Sequence, residues 1–173
     1  MTGTRRILFI CGAVCTALAV LLCLFPVYCR KLASPVSVSL PKGIHLHLPA
    51  GWTAAKPETK NGITLNTFSK GEGIKINAAV CPARKIPFER QVRQDRNNLS
   101  LKKGYSIILE KNDEIHACPA YIFTVTSVRK GRRHRSKIVL FQKDDTLFYI
   151  TLNTEIGRYK SAIPDFTKLI DSL

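Results

Sequence analysis

The chain has 173 residues, of which 27 are Lys or Arg and 12 are Asp or Glu, so its formal net charge is +15. This length suffices for one domain with a hydrophobic core and a short appendage, and it excludes several full-size domains. The basic excess predicts attraction to polyanions such as anionic lipid, cell-wall phosphates or nucleic acid without choosing among them, and simple solubility is the alternative explanation.

Residues 7–25 form an uncharged apolar segment behind Arg5 and Arg6. At helical rise, nineteen residues span roughly 28 Å, close to the hydrocarbon thickness of a bilayer. We therefore expect residues 1–31 to be a signal anchor or transmembrane segment that goes into the membrane through residues 7–25. An uncleaved anchor is the favoured interpretation, because small residues are missing at the spacing that signal peptidase needs; a cleaved signal is the alternative.

The positive charges that flank this segment do not settle its orientation, because Arg5 and Arg6 are matched by Arg30 and Lys31. We expect the C-terminal domain, residues 32–173, to lie outside the cytoplasm, at the periplasm or cell surface, since an apolar N-terminal segment behind two arginines most often directs export. Removing these four residues leaves 23 basic and 12 acidic residues, a net charge of +11 for the domain.

The first half of the domain alternates between apolar and polar residues, which predicts short strands. Residues 36–40 and 44–48 read as two strands, and residues 63–69 and 74–80 as a hairpin. His45 and His47 would share one face of the second strand, a spacing that can ligate a metal, but no third ligand is evident. Exposed histidines opposite apolar neighbours are therefore the favoured interpretation, and we expect no metal site.

A helix is predicted from Pro87, with Phe88, Val92, Asp95 and Leu99 at steps of four, three and four. Its apolar stripe is narrow and is interrupted by the aspartate. A strand at residues 105–109 and a polar turn at residues 110–114 follow. The chain ends in an amphipathic stripe, for which we predict a main helix from Pro164 to Ser172, because proline is tolerated only in the first turn.

Three β-branched and aromatic runs between Ala120 and Leu152 predict successive strands, at residues 121–128, 137–142 and 147–152. Both faces of these runs are apolar, which predicts a sheet covered on both sides. The joint between the first two strands is strongly basic. Its six cations, the candidate anion-binding residues, are Arg129, Lys130, Arg132, Arg133, Arg135 and Lys137.

These cations could bind phosphate or carboxylate groups at the tip of a hairpin, since the guanidinium fork suits both. The alternative is a solvated loop whose charges discourage edge pairing between sheets. No aromatic residue is interleaved with the cations, which argues against a surface that stacks single-stranded nucleic acid.

The chain has six cysteines, and four of them belong to the apolar segment or its edge. Only Cys81 and Cys118 lie in the domain, where an exported protein could join them in one disulfide. Closing a loop of that length would stabilise the fold by about 4 kcal/mol in the chain-entropy model. Two separate buried thiols are the alternative.

No pattern of catalytic residues is visible in the sequence. There is no Gly-x-Ser-x-Gly elbow and no phosphate-binding glycine loop. Asp144 and Asp145 are adjacent carboxylates, but they fall at a joint between two strands, where aspartate suits turn geometry. We therefore expect a non-catalytic protein without a cofactor.

Several local strings resemble the PsbP-like family, which includes bacterial DcrB-related proteins. They are Leu48-Pro49-Ala50-Gly51-Trp52 after an opening strand, the helix from Pro87, Cys118-Pro119-Ala120-Tyr121, the strand Phe148 to Leu152, and the terminal helix Phe166 to Leu173. The resemblance implies an α+β fold, an α/β/α sandwich with a central antiparallel sheet. It also implies a binding or accessory module, and many bacterial members are exported and tethered to the membrane. No residue of this chain matches a metal or photosystem motif of the photosynthetic members, so the resemblance implies no photosynthetic role.

The sequence therefore predicts a membrane-anchored, extracytoplasmic binding module that contacts an envelope protein or an anionic partner. The alternative is a polyanion-binding protein that acts on nucleic acid, anionic lipid or wall polymer through the basic hairpin 129–137 itself.

Overall fold

Antiparallel β-structure makes up most of the domain. The computed structural model describes residues 34–173, and the expected membrane segment at residues 7–25 lies outside them. Within residues 34–173, neither helix has the length and apolar character needed to cross a membrane. The strands are β1 (Val36–Ser39), β2 (His45–Leu48), β3 (Thr53–Ala54), β4 (Glu58–Lys60), β5 (Ile63–Lys70), β6 (Ile74–Pro82), β7 (Tyr105–Ile115), β8 (Cys118–Arg129), β9 (Arg132–Lys143) and β10 (Thr146–Glu155). The helices are α1 (Phe88–Leu101) and α2 (Tyr159–Asp171), with 3₁₀ turns at Pro41–Gly43 and Ile156–Arg158.

Eight of these strands form one sheet in the order β3-β5-β6-β10-β9-β8-β7, with β4 also paired to β5. All of its pairings are antiparallel. The last four strands follow one another through tight turns, but β10 returns to pair with β6. This return places β10 and β9 at the centre of the sheet, where their β-branched and aromatic residues are buried.

One face of the sheet is covered by α2 and by the separate β1–β2 hairpin. The alternation along β2 buries Leu46 and Leu48 and leaves the two histidines exposed, as the sequence predicted. Phe141 and Phe148 on neighbouring strands stack with ring centroids 4.8 Å apart. Phe166 of α2 is fully buried against this layer. Burial of each such side chain contributes roughly 1.5 to 3 kcal/mol.

The opposite face is covered by α1, which buries fewer apolar residues against the sheet than α2 does. Val92 of α1 is buried against Phe123 of β8 and Leu140 of β9. Phe88, at the start of the helix, meets the ring of Tyr121 edge to face at 5.8 Å. A helix on each face of an antiparallel sheet is the α+β arrangement expected of a sandwich.

Strand β7 and helix α2 are among the elements that are longer than the sequence predicted. Strand β7 continues through residues 110–114, which were expected to be a polar turn, because the edge strand stays paired with β8 as far as Ile115. The turn comes instead at His116 and Ala117, both with positive φ.

Helix α2 was expected to begin at Pro164 and begins at Tyr159. Proline in a helix removes one backbone hydrogen bond, which costs about 3 kcal/mol or more. The helix nevertheless starts upstream, because its apolar stripe includes the fully buried Ala162 as well as Phe166 and Leu169.

Candidate anion-binding face

The basic joint between β8 and β9 is shorter than the eight residues, 129–136, that the predicted strands left between them. Strand β8 runs to Arg129 and β9 starts at Arg132, so only Lys130 and Gly131 form the turn. Both have positive φ, 49° and 75°, which fits the two-residue hairpin turns that match strand twist. The remaining cations are therefore strand residues, and their side chains alternate between the two faces of the sheet.

Three of the candidate cations form a row on the face that α2 covers in part. The row consists of Arg133, Arg135 and Lys137, which share their face with the buried Val139 of the core beneath α2. Residues two apart along a strand lie roughly 7 Å apart. Their charges therefore make a line roughly 13 Å long.

Two cations of this row lie over aromatic rings. The guanidinium of Arg135 lies 5.1 Å from the ring centroid of Tyr159, and the ammonium of Lys137 lies 5.9 Å from that of Phe166. None of the three forms an ion pair within 4.0 Å among residues 34–173. Nε of Arg135 is buried and has no hydrogen-bond partner within residues 34–173.

The pKa of Lys137, at the end of the row, is affected both by burial and by repulsion from another cation. Burial lowers the pKa of Lys137, and the nearby charge of Lys111 lowers it further, against a smaller opposing effect of Asp113 and Asp171. A site at which cations repel one another and form no ion pair among residues 34–173 is suited to an anion from outside the domain.

Exposed apolar side chains lie on the same face of the sheet as the row. Val128 pairs with Arg133 across the β8–β9 ladder, and Leu109 pairs with Thr124, which in turn pairs with Lys137. Leu109 is 54% exposed and Val128 is 57% exposed. We call this surface the basic–apolar face, defined by Arg133, Arg135 and Lys137 with Leu109 and Val128.

The other two strand cations lie on the opposite face and have partners there. Arg132 donates to Oε1 of Glu155 at 2.8 Å, and Arg129 donates to the hydroxyl of Tyr105 at 2.7 Å. Burial acts to raise the pKa of Tyr105, but Arg129 and Lys102 outweigh it and lower the pKa overall. The structure therefore divides the predicted cluster of six between two faces and the turn.

The candidate disulfide between Cys81 and Cys118 is not formed, because strand order separates the two cysteines. Cys81 lies on β6 and Cys118 on β8, with β10 and β9 between them. Three strand spacings amount to roughly 14 Å, whereas bridged Cα atoms lie within about 7 Å. Both thiols are free, which was the alternative.

The structure also contains a pocket that sequence reasoning did not identify. It has a volume of about 300 Å³ and lies between the second half of α1 and strands β8 to β10. Its floor is apolar, with Phe123, Ile138 and Leu140, and Asp95 of α1 contributes to the wall. The signal was present in the sequence, because Asp95 is the residue that interrupts the apolar stripe of this helix.

Tyr149 and Asp95 connect the sheet to the helix at this pocket. The Tyr149 hydroxyl donates to Oδ2 of Asp95 at 2.7 Å, and Nε2 of Gln91 lies 3.0 Å from both carboxylate oxygens. Burial raises the pKa of Tyr149, and the hydrogen bond to Asp95 and its negative charge raise it further.

No protein-family model and no curated protein matches the chain. Solved structures with similar folds do match. The cyanobacterial PsbP (CyanoP) of Synechocystis sp. PCC 6803 has a TM-score of 0.58 and 13% identity, over 81% of this chain and 91% of that chain. LpqN of Mycobacterium tuberculosis, involved in cell envelope biogenesis, has a TM-score of 0.58 and 12% identity, over 81% and 88%.

A third similar structure, a protein of unknown function from Pseudomonas aeruginosa, has a TM-score of 0.54 and 17% identity, over 80% of this chain and 95% of that chain. At these identities the likeness concerns the fold. The chain has the PsbP-like fold that its sequence strings resemble.

Proposed function

We propose that this protein is a non-catalytic accessory module of the cell envelope, anchored through residues 7–25, whose basic–apolar face binds an anionic partner outside the cytoplasm. That partner is an envelope protein or an anionic polymer. The observation that carries the proposal is the row of three cations that have no acidic partner within residues 34–173 and lie beside exposed leucine and valine side chains.

Physical chemistry supports a binding role for this face. Each cation near an anionic surface contributes about 1 kcal/mol. Arginine binds carboxylate and phosphate groups through two parallel hydrogen bonds, and exposed apolar groups add contact area. An uncharged apolar segment at residues 7–25 and a fold shared with LpqN, which is involved in cell envelope biogenesis, support the location.

The second candidate function is polyanion binding by the whole hairpin, in which total charge matters and the face does not. The division of the cations makes the two functions separable. Arg133→Gln/Arg135→Gln and Arg129→Gln/Arg132→Gln remove the same charge from the same hairpin, but on opposite faces of the sheet. The second pair is therefore a matched control for the first.

The experiment measures retention of both double variants and the wild-type protein on anionic vesicles, wall polymer and double-stranded DNA. Our proposal predicts a loss of roughly 30-fold for Arg133→Gln/Arg135→Gln and little change for the control. Equal losses would support the polyanion function. Unchanged binding of both variants to every probe would contradict both functions.

Experiments in intact cells are needed to identify the partner and the side of the membrane on which the domain lies. Protease protection should show residues 32–173 to be accessible from outside. Crosslinking from a reactive group at Val128, in the basic–apolar face, should then capture a partner, and the capture should be lost in Arg133→Gln/Arg135→Gln. A domain protected from external protease would overturn the proposed location.

A further inference from the structure

The pocket beneath α1 lies on the other face of the sheet from the basic–apolar face, and a different set of observations bears on it. Four apolar side chains line it, from Leu99, Phe123, Ile138 and Leu140. Pockets that bind small molecules have volumes from about 300 Å³ upward and are mostly apolar with a few polar groups. This pocket is at the lower end of that range, so its ligand must be small.

Asp95 is the acidic residue in the lining. Its carboxylate accepts hydrogen bonds from neutral donors only, the hydroxyl of Tyr149 and the amide of Gln91. No cation lies within 4.0 Å of it among residues 34–173. A partly buried carboxylate without a cationic partner is unfavourable, because the loss of hydration is not offset by an opposite charge.

The nearby cations of the protein, Lys102 and Arg84, do not pair with the carboxylate of Asp95. Lys102 also lines the pocket, but it follows Asp95 by two helical turns, roughly 10 Å along the axis. Its ammonium lies 4.5 Å from the ring centroid of Tyr105. Arg84, whose charge acts on Tyr149, donates to Oε1 of Gln94.

A purely structural role would not require this charge. The hydrogen bond from Tyr149 attaches α1 to β10, and a neutral amide oxygen at position 95 would also accept it, although in a weaker bond than the carboxylate makes. The negative charge also acts on its neighbours, since it raises the pKa of Tyr149 and, after burial, that of the Cys81 thiol, and so keeps both groups protonated and neutral. The charge is therefore the feature that points to a ligand.

We propose that this pocket binds a small apolar molecule that carries an ammonium group. The ammonium pairs with the carboxylate of Asp95, within reach of the side chains of Asn98 and Thr151, and the apolar body lies on Phe123, Ile138 and Leu140. The ring of Tyr149, which also lines the pocket, adds the attraction of an aromatic face for a cation.

The test uses the full-length protein in detergent and three probes with the same apolar body and different head groups: 2-phenylethylamine, 2-phenylethanol and 3-phenylpropionate. Binding is followed by ligand-observed NMR. The amine should bind most tightly, the alcohol more weakly, and the carboxylate least. If the carboxylate or the alcohol binds as tightly as the amine, or the amine shows no saturable binding, the proposal is overturned.

Variants locate the site. Asp95→Asn keeps an acceptor for Tyr149 and should weaken binding of the amine about 10- to 100-fold, while binding of the alcohol changes little. Asn98→Arg places a cation one turn from Asp95 on the exposed side of α1, so it should compete with the amine even if Asp95→Asn folds poorly.

Asn97→Arg is the matched control, because it adds the same charge to the same helix at an exposed residue outside the pocket lining. It should leave binding of the amine within about twofold of the wild-type value, since a solvent-exposed charge is screened by salt. Equal effects of Asn97→Arg and Asn98→Arg would show a general charge effect and would contradict the assigned pocket. A failure here leaves the anion-binding proposal unaffected, because that proposal concerns the opposite face.

Discussion

The indole Nε1 of Trp52 donates a hydrogen bond of 2.9 Å to Oδ2 of Asp165, 113 residues later in the chain. Trp52 is fully buried in the turn that follows β2, and Asp165 lies on α2. Lys70, at the end of β5, donates to the same oxygen at 2.6 Å. One carboxylate oxygen therefore joins the β1–β2 layer, the main sheet and the C-terminal helix.

Removal of this carboxylate should destabilise the domain. In Asp165→Ala the buried indole N–H has no acceptor, and an unsatisfied buried donor costs about 1 to 3 kcal/mol. Denaturant unfolding should show this loss of free energy of unfolding. Asp171→Ala, at an exposed position on the same helix, is the control and should change stability by less than about 0.5 kcal/mol. Equal stabilities of the two variants would show that the Trp52 bond contributes nothing.

The hydrogen bonds that Asp165 accepts from Trp52 and Lys70 also predict part of the loss of domain stability in acid. Burial acts to raise the pKa of Asp165, but the hydrogen bonds from Lys70 and Trp52 outweigh it, and the pKa is lowered overall. A carboxyl whose pKa is lowered in the folded state stabilises the fold at pH values above its unfolded-state pKa of about 3.9. This stability is lost as the pH falls through the folded-state pKa.

Unfolding free energies measured from about pH 5 downward should therefore fall less steeply for Asp165→Asn than for the wild-type protein. The asparagine keeps an acceptor oxygen but does not titrate. Parallel curves for the two proteins would contradict a lowered pKa at this position.

The fold was predictable from the sequence where side chains alternate in strand or helical period. The expected strand at residues 147–152 lies within β10, and the expected helix from Pro87 is α1. The apolar residues on both faces of the runs between Ala120 and Leu152 predicted cover on both sides of the sheet, and α1 and α2 provide it.

The lengths of β8 and β9 were not predictable from residue type, since Arg132 to Arg135 are not strand formers in isolation. They are held in the sheet by partners far along the chain, for example Arg135 by the pairing with Thr154 of β10. The sequence left open whether Cys81 and Cys118 are bridged for a related reason. The sequence shows that each cysteine is near a strand end, but only strand order shows how far apart those ends lie.

The two-residue turn between β8 and β9 gives a further prediction. Gly131 has a φ of 75°, where a side chain is strained, so Gly131→Val should destabilise by about 1 to 2 kcal/mol. Gly157→Ala is the control, because its φ is not in the left-handed region and its added Cβ would meet nothing within 4 Å. Thermal unfolding of both variants tests this, and an unchanged midpoint for Gly131→Val would favour a long flexible loop at this joint.

The two cysteines of the domain should behave as independent thiols of unequal reactivity. Non-reducing digestion and mass spectrometry should recover Cys81 and Cys118 on separate peptides. Burial raises the pKa of Cys81, and the charge of Asp95 raises it further, so little reactive thiolate is present near neutral pH. Alkylation of Cys81 should therefore be slow, and Asp95→Asn should accelerate it.

Cys118 provides the internal control for this measurement, because Asp95 is not among its contacts: its Sγ donates to the carbonyl of His116, at the opposite side of β9 and β10 from Cys81. Its alkylation rate should be the same in the wild-type protein and in Asp95→Asn. If both cysteines accelerate together, the variant has loosened the fold as a whole. If neither does, burial alone keeps Cys81 protonated, and the carboxylate exerts no effect across the pocket wall.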